Sequence, residues 1–403
     1  MSALASPAVV HAADYGGAYS GNFVPSLRSL EEPCRSMGLR LVLAFSDLAA
    51  RRPWLEQLRA DGFAVHLLRR TGSLPERIEA LARVAAAENA VLLHTHFTRW
   101  DVPAAVVALR NGLPVVWHLH SPLSPLRTAH QLATDAIKFR ALARRAHVAA
   151  VSEAIRLGAI RRGCPAGHAT YVPNSIDLVH ATRASAGRDE IRRELAIPSS
   201  AWVGLVFGWD PARKGVDVAL SAAERLATRG RELVLVIVGA EPLEAFVAER
   251  LGPKLPRWLR LLRPRETVGD LYAAADVFLS PSRAEGFPYA LGEALANGLY
   301  SVTSDIPGVE WARELEAAAF FPSGDAEALA EAITELLERS PERGVAAAAA
   351  ARAFAAAHLS LGAWAQRVLA VYRKALAERG VRLAEPAPEE KPAEAELRVA
   401  SRR

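Results

Sequence analysis

Cysteine, methionine and long apolar runs are all scarce in this chain. Only two cysteines, Cys34 and Cys164, occur among 403 residues. That is too few for a disulfide framework and offers no cysteine zinc site, so each reads as a small packed side chain. No apolar run approaches the ~20 residues that cross a bilayer. The N-terminus also lacks a basic region followed by an apolar stretch. The expectation is a cytoplasmic protein, with peripheral contact on the inner face of the cell membrane left open. Aromatic residues are 7% of the chain and form no strand pattern suited to stacking RNA bases, so nucleic acid is not an expected partner.

Charge is present but unevenly placed. Residues 1–180 hold 20 Lys/Arg against 13 Asp/Glu, and the remainder holds 29 against 31. A basic first half fits an anionic partner such as a phosphorylated acceptor or a lipid surface. It equally fits a solvated basic face with no partner. The segment IKFRALARRAH, from Ile137 to His147, sharpens the question, because it sets Lys138, Arg140, Arg144 and Arg145 on an expected helix. A basic amphipathic helix can lie on anionic lipid or simply face water.

At 403 residues the chain is too long for one ordinary core, which favours two domains and a tail. Short apolar runs alternate with helical patterns through the first half: LRLVLAF, FAVHLL, AVLLHTH, PVVWHLH and HVAAVS. The alternation restarts after Pro198 with WVGLVFG, ELVLVIVG, RWLRLL, DVFLS, LYSVTS and AAAFF. Strands alternating with helices mean a parallel sheet covered on both faces. The fold class is therefore α/β, with two Rossmann-like, doubly wound domains facing a central cleft, where ligands of such sheets bind. His180 to Pro198 is polar and charged and suits a hinge and connector.

The most informative stretch is LSPSRAEGFPYALGEALANGLYSVTSDIPGVE, from Leu279 to Glu310. A strand runs into a Gly-Phe-Pro turn and then a helix start, with Glu285 and Glu293 eight positions apart. Unpaired amides at a helix start suit a phosphate. Each carboxylate can face a polyol beside it, and a phosphate between two polyols describes a nucleotide sugar.

PSRAEGFPYALGEALANG closely resembles the signature of retaining GT-B glycosyltransferases, especially glycosyltransferase family 4 (group 1). VPNSIDL, FGWDPARKGVDVAL, DLYAAADVFLSPS and FFPSGDAEALAEAI resemble further elements of that family in the same order, and the likeness runs over about residues 10 to 380. It implies an acceptor domain over 1–180, a connector over 181–198 and a nucleotide-sugar domain over 199–360. A helix over 361–380 would then pack back on the first domain, leaving a disordered tail over 381–403.

The resemblance also implies roles. Glu293 would bind the ribose hydroxyls of the donor, and Glu285 the transferred sugar, with Gly286, Phe287 and Leu291 nearby. Arg213 and Lys214 would clamp the diphosphate. Many members carry Gly-Arg where this chain has Gly208-Trp209, so Arg213 is expected to take over the guanidinium role. Gly16 and Gly17, in DYGGAYSGN, resemble the first-strand glycine loop that approaches the donor phosphate.

Two His-x-His pairs end strands, His94 with His96 and His118 with His120. Alternation puts each pair on one face. The spacing can bind metal, but no further cluster of acidic or cysteine ligands lies near it in the sequence. The resemblance makes His96 and His120 the candidates for lining the acceptor and sugar site, while His94 and His118 suit the core. Asn174 and Asp177 shape the interdomain turn, either as a plain Asx-type turn or in contact with substrate; the resemblance puts Glu310 near the donor, and Ser152 suits a helix cap.

The resulting expectation is transfer of a hexose-type sugar from a nucleoside diphosphate donor, uridine-linked, to a hydroxyl acceptor such as a glycan, glycolipid or small molecule. No cofactor and no metal is expected. A phosphorylase or sugar-nucleotide epimerase of the same fold would need the same phosphate clamp. A non-catalytic, basic membrane- or nucleic-acid-binding protein is the reading from a different class.

Overall fold

The computed structural model describes residues 6–124, 128–182, 184, 187–265, 267–338 and 341–381. The expected disordered tail lies outside the described residues from 382 onward.

Among the described residues, thirteen strands form two all-parallel sheets. The first contains β1 (Ala8–Ala13), β2 (Arg40–Ser46), β3 (Ala64–Leu68), β4 (Ala90–His96), β5 (Val115–Leu119), β6 (Ala146–Ala150) and β7 (Ala169–Tyr171). Their order is β3-β2-β1-β4-β5-β6-β7. The second contains β8 (Trp202–Phe207), β9 (Leu233–Val238), β10 (Leu259–Leu262), β11 (Val277–Ser280), β12 (Tyr300–Ser304) and β13 (Ala318–Phe321), in the order β10-β9-β8-β11-β12-β13. Each sheet therefore reverses its strand order once, at β1/β4 and at β8/β11. Loops that leave two neighbouring strands in opposite directions open a crevice between them. The loops after β1 and β4, and those after β8 and β11, carry most of the expected site.

Local rules account for the covering helices. The helix Leu74–Ala87 starts with a Ser73/Glu76 capping box. The helix Asp101–Asn111 ends where Gly112 turns left-handed at φ +69°. Ser152 accepts from the Ile155 amide at 3.3 Å and caps the helix Glu153–Arg161, as expected. The short strand β7, only three residues long, carries too little apolar pattern to be read from sequence.

Two segments differ from expectation. Residues 137–147 do not form a continuous amphipathic α-helix: Ile137–Ala141 is a π turn and Leu142–Arg144 a 3-10 turn, before β6 begins. The irregular winding turns Lys138 inward, where its ammonium pairs with the buried Asp101 beside the Trp117 and Phe139 rings. Arg140, Arg144 and Arg145 stay exposed. No described helix is long and apolar enough to cross a membrane.

The connector is also more structured than its polarity suggests. The helix Arg188–Glu194 places Ile191 in the core of the second domain, together with Leu195 and Ile197. Its Arg192, 6% exposed, bonds the Ala274 and Ala201 carbonyls and the Asp276 carboxylate. A charged residue here is a core element because every donor on one edge of its guanidinium is matched.

The last described helix, Leu361–Ala377, returns to the first domain. Trp364, Val368, Leu369 and Tyr372 join Leu43, Phe45 and Val116 in one apolar cluster. Full burial of a side chain such as Leu369 contributes roughly 1.5–3 kcal/mol, which secures the helix on that sheet. The chain thus passes between domains twice, and the passes touch: the Ile176 amide bonds the Leu359 carbonyl at 2.6 Å, and Ile176 bridges to Ser360.

Candidate active site

The loop after β8 is built to approach the loop after β11. Gly215 adopts φ +64°, and a Cβ there would stand 1.9 Å from the Pro281 carbonyl oxygen. Only glycine meets both demands. That contact brings Lys214 Nζ to 2.6 Å from Glu285 Oε1, with both side chains 7% exposed. Arg213 Nη1 lies 3.5 Å from the other Glu285 oxygen, and Arg213 Nε lies 3.0 Å from Asp210. Burial lowers the Lys214 pKa, and Glu285 works against that fall.

Trp209, standing where the family resemblance leads one to look for arginine, holds its ring centroid 4.0 Å from Lys214 Nζ. An aromatic face attracts an ammonium, so the tryptophan covers the lysine while Arg213 supplies the guanidinium beside Glu285.

Glu293 lies on the helix Tyr289–Ala296, whose first residue follows Pro288. Its Oε2 accepts from the Tyr272 hydroxyl and its Oε1 from Asn22 Nδ2, each at 2.7 Å. Asn22 Oδ1 in turn accepts the Asp177 amide at 2.8 Å. One asparagine therefore ties the β1 loop to the interdomain turn and to the second domain. The Tyr272 phenol is held well above its usual pKa, first by burial and then by Glu293.

The domains also meet through backbone. A Cβ on Gly286 would lie 2.1 Å from the His120 carbonyl oxygen. Gly308, at φ +98°, presses against the Glu285 carbonyl, where a Cβ would come within 2.5 Å.

Between these contacts lies a cavity of about 710 Å³. Arg213, Glu285, Gly286, Phe287, Glu293, Asn174 and His120 line it, together with Tyr15, Phe97, Trp209 and Arg265. Lys214 does not line it and stands behind Glu285. A second hollow of about 570 Å³ lies on the first domain near Trp54, Gln57 and Arg28.

Several expected residues fall elsewhere. Gly16 and Gly17 do not line the cavity. A Cβ on Gly16 would meet Leu48 at 2.4 Å, and one on Gly17 would meet the Tyr15 hydroxyl at 2.6 Å, so the glycines serve close packing of the loop. Leu291 is fully buried in the core of the second domain, and its amide bonds the Pro288 carbonyl. Glu310 receives the Ala154 amide at 3.1 Å and the Gly308 amide, capping a helix of the first domain from the second. Asp177 caps the following helix through the His180 amide.

His96 needs correction as a lining residue. It is 0% exposed and reaches the cavity only through His120, whose Nε2 stands 3.0 Å from His96 Nδ1. The strands β1, β4 and β5 are neighbours, which aligns His11 with the two His-x-His pairs on one sheet face. His11 Nδ1 is 3.0 Å from His96 Nε2. Tyr372 Oη joins His94 Nδ1 at 2.6 Å and His11 Nε2 at 2.8 Å. Burial is the first cause lowering the pKa of all five rings, with His11 and His118 pushed down to about 3. They are neutral at neutral pH.

Sequence reasoning missed Asn22, Tyr272 and His11. For His11 a signal existed, since a histidine inside the apolar run VVHAA points to one face of a buried strand. Asn22 and Tyr272 carry no such local mark.

Comparison with known proteins agrees with this architecture. Residues 40–180 match the family model described as Glycosyltransferase Family 4, and residues 201–339 match Glycosyl transferases group 1. The alpha-maltose-1-phosphate synthase of Mycolicibacterium smegmatis is 28% identical over 335 residues, covering 73% of this chain and 81% of that protein. A crystal structure of a glycosyltransferase from Rickettsia africae superposes with a TM-score of 0.78 at 16% identity, over 92% of this chain and 99% of that one. Anabaena HepE, crystallised with UDP and glucose, superposes with a TM-score of 0.73 at 21% identity, over 91% and 99%. These structural likenesses show the GT-B fold. With both halves of the chain matched by models of one family, the protein belongs to the group 1, family 4 glycosyltransferases and is an enzyme that transfers sugar.

Proposed function

We propose that the enzyme moves a hexose-type unit, with retention, from a nucleoside diphosphate sugar to a hydroxyl acceptor, with uridine as the base. The observation carrying this reading is the placement of Glu285 and Glu293 on one cavity wall, beside Arg213 and backed by Lys214. That HepE, of the same fold, was crystallised with UDP and glucose supports the choice of donor.

In this proposal Glu293 accepts both ribose hydroxyls, for which a two-oxygen acceptor is suited. Tyr272 holds one of its oxygens, and Asn22 yields the other when the nucleoside enters. Glu285 neutralises Arg213 and Lys214 while no donor is bound. An arriving diphosphate takes over the two cations and releases Glu285 to accept hydroxyls of the sugar. Negative charge then collects on the diphosphate as the glycosidic bond breaks, and cations already in position lower the barrier to that step. The protein's own cations do this work, so no metal is assigned to the diphosphate. Closure over the cavity keeps water from competing with the acceptor. Retention follows from the family resemblance.

Titration calorimetry with UDP and with ADP, followed by UDP-sugar turnover without added phosphate, tests the proposal. UDP should bind more tightly than ADP, and UDP should be released slowly without an acceptor and without phosphate. Turnover that requires inorganic phosphate would replace transfer with phosphorolysis. Absence of binding by either nucleotide would remove the donor assignment.

A further inference from the structure

Five histidines lie on one face of the first sheet, and of these only His120 lines the cavity. His11, His94, His96 and His118 are each no more than 1% exposed. One ligating nitrogen from each of His11, His94 and His96 lies within 4.8 Å of the other two, and the same holds for His96, His118 and His120. In the first set, His11 Nδ1 and His96 Nε2 are 3.0 Å apart. Neighbouring ligands around a tetrahedral ion with bonds of ~2.0–2.1 Å stand roughly 3.3 Å apart, so a small opening of this contact admits an ion.

The remote nitrogens are already held. His11 Nε2 and His94 Nδ1 both meet the Tyr372 hydroxyl, and His96 Nδ1 meets His120 Nε2. A metal-bound imidazole needs this arrangement, because its far N–H must go to a fixed acceptor that sets tautomer and ring direction. A chain of neutral imidazoles alone still leaves unmatched atoms. Nε2 of His94 then has no partner, nor does either nitrogen of His118 meet one in hydrogen-bond geometry, although the Val172 backbone is close. Buried polar atoms left unmatched in this way are uncommon and costly.

We propose that His11 Nδ1, His94 Nε2 and His96 Nε2 bind one divalent ion of the zinc, cobalt or nickel type, behind the cavity wall. The ligand set is all imidazole, which suits those ions and not magnesium or calcium. His118, with its ring stacked 5.3 Å from that of His96, stands beside the three ligands, and a bound water would complete four-coordination. The ion is separate from the diphosphate clamp. Its effect on the cavity runs through one hydrogen bond. With the ion on Nε2 of His96, the ring proton sits on Nδ1 and is donated to Nε2 of His120, whose own proton then rests on Nδ1. The site is thus a positioning device for the cavity-lining histidine.

The test uses full-length protein without a histidine tag, stripped with chelator and dialysed against zinc, then against cobalt. Wild type should retain one zinc per chain above the His94→Leu variant, unfold at a higher temperature with zinc, and show the visible absorption of four-coordinate cobalt. Tyr372→Phe keeps the ring and the three ligands, so it should still fold and bind zinc roughly 10–100-fold more weakly. If His94→Leu fails to fold, Tyr372→Phe decides alone. Equal zinc in wild type and His94→Leu, unchanged affinity in Tyr372→Phe, or cobalt with the spectrum of an aquated ion would each overturn the proposal.

Discussion

The two walls of the cleft are made from different chemistry. The second domain contributes fixed charge: Arg213 and Glu285 on its wall, Lys214 behind them, and Glu293 on the helix that follows. The first domain contributes no Asp, Glu, Lys or Arg to the lining among the described residues: Tyr15, Phe97 and His120 face the cavity, with four more histidines behind. Burial keeps those histidines uncharged. The lesson is a division of labour. A wall of matched ions can exchange partners with a charged ligand, whereas a neutral wall can align a hydroxyl without holding a competing charge near it.

The strongest way to break the comparison is to discharge the second wall. Lys214→Met leaves Glu285 buried with only the partly exposed Arg213. We expect turnover to fall about 10²–10³-fold, the scale for losing one charge-stabilising group, and stability to fall by about 3–5 kcal/mol. Steady-state kinetics and urea unfolding measure the two separately, and unchanged turnover would remove Lys214 from the clamp.

Gly286→Ala attacks the seam instead. Its Cβ would collide with the His120 carbonyl, and a displacement near 1 Å can cost about 10²-fold in rate. A crystal structure of the variant should show the walls further apart. Glu293→Ala comes next. Removing a charged acceptor should weaken UDP by about 1.5–3 kcal/mol in calorimetry, with little change once UDP is saturating. Tyr272→Phe should be the mildest, about 0.5–1.5 kcal/mol, because it only orients that carboxylate. A larger loss from Tyr272→Phe than from Glu293→Ala would reverse the assigned roles.

The two walls also differ in how far they could be read in advance. Nearly every strand was visible, because apolar runs of four to seven residues flanked by turns are a local signal. The charged wall was visible too, since Glu285 and Glu293 fall in one ordered motif and Lys214 in another. The neutral wall was not. Its histidines converge only because β1 lies between β2 and β4, so that His11 registers with His94. Asn22 meets Glu293 across 271 positions, which no window on the sequence spans. Lys138 misled for a related reason: its partner Asp101 lies on another helix, and a π turn rotates the side chain toward it. Polarity alone likewise hid Arg192, whose neighbours are backbone carbonyls.

The second passage of the chain between the domains, at Leu359 and Ser360, has a consequence for dissection by cloning. A gene divided at the first passage, near residue 180, yields a front fragment without Trp364, Val368 and Tyr372, which complete one side of its interior. The rear fragment carries the same amphipathic segment with nothing to cover it. Neither piece should be well behaved alone, whereas co-production should restore both by complementation.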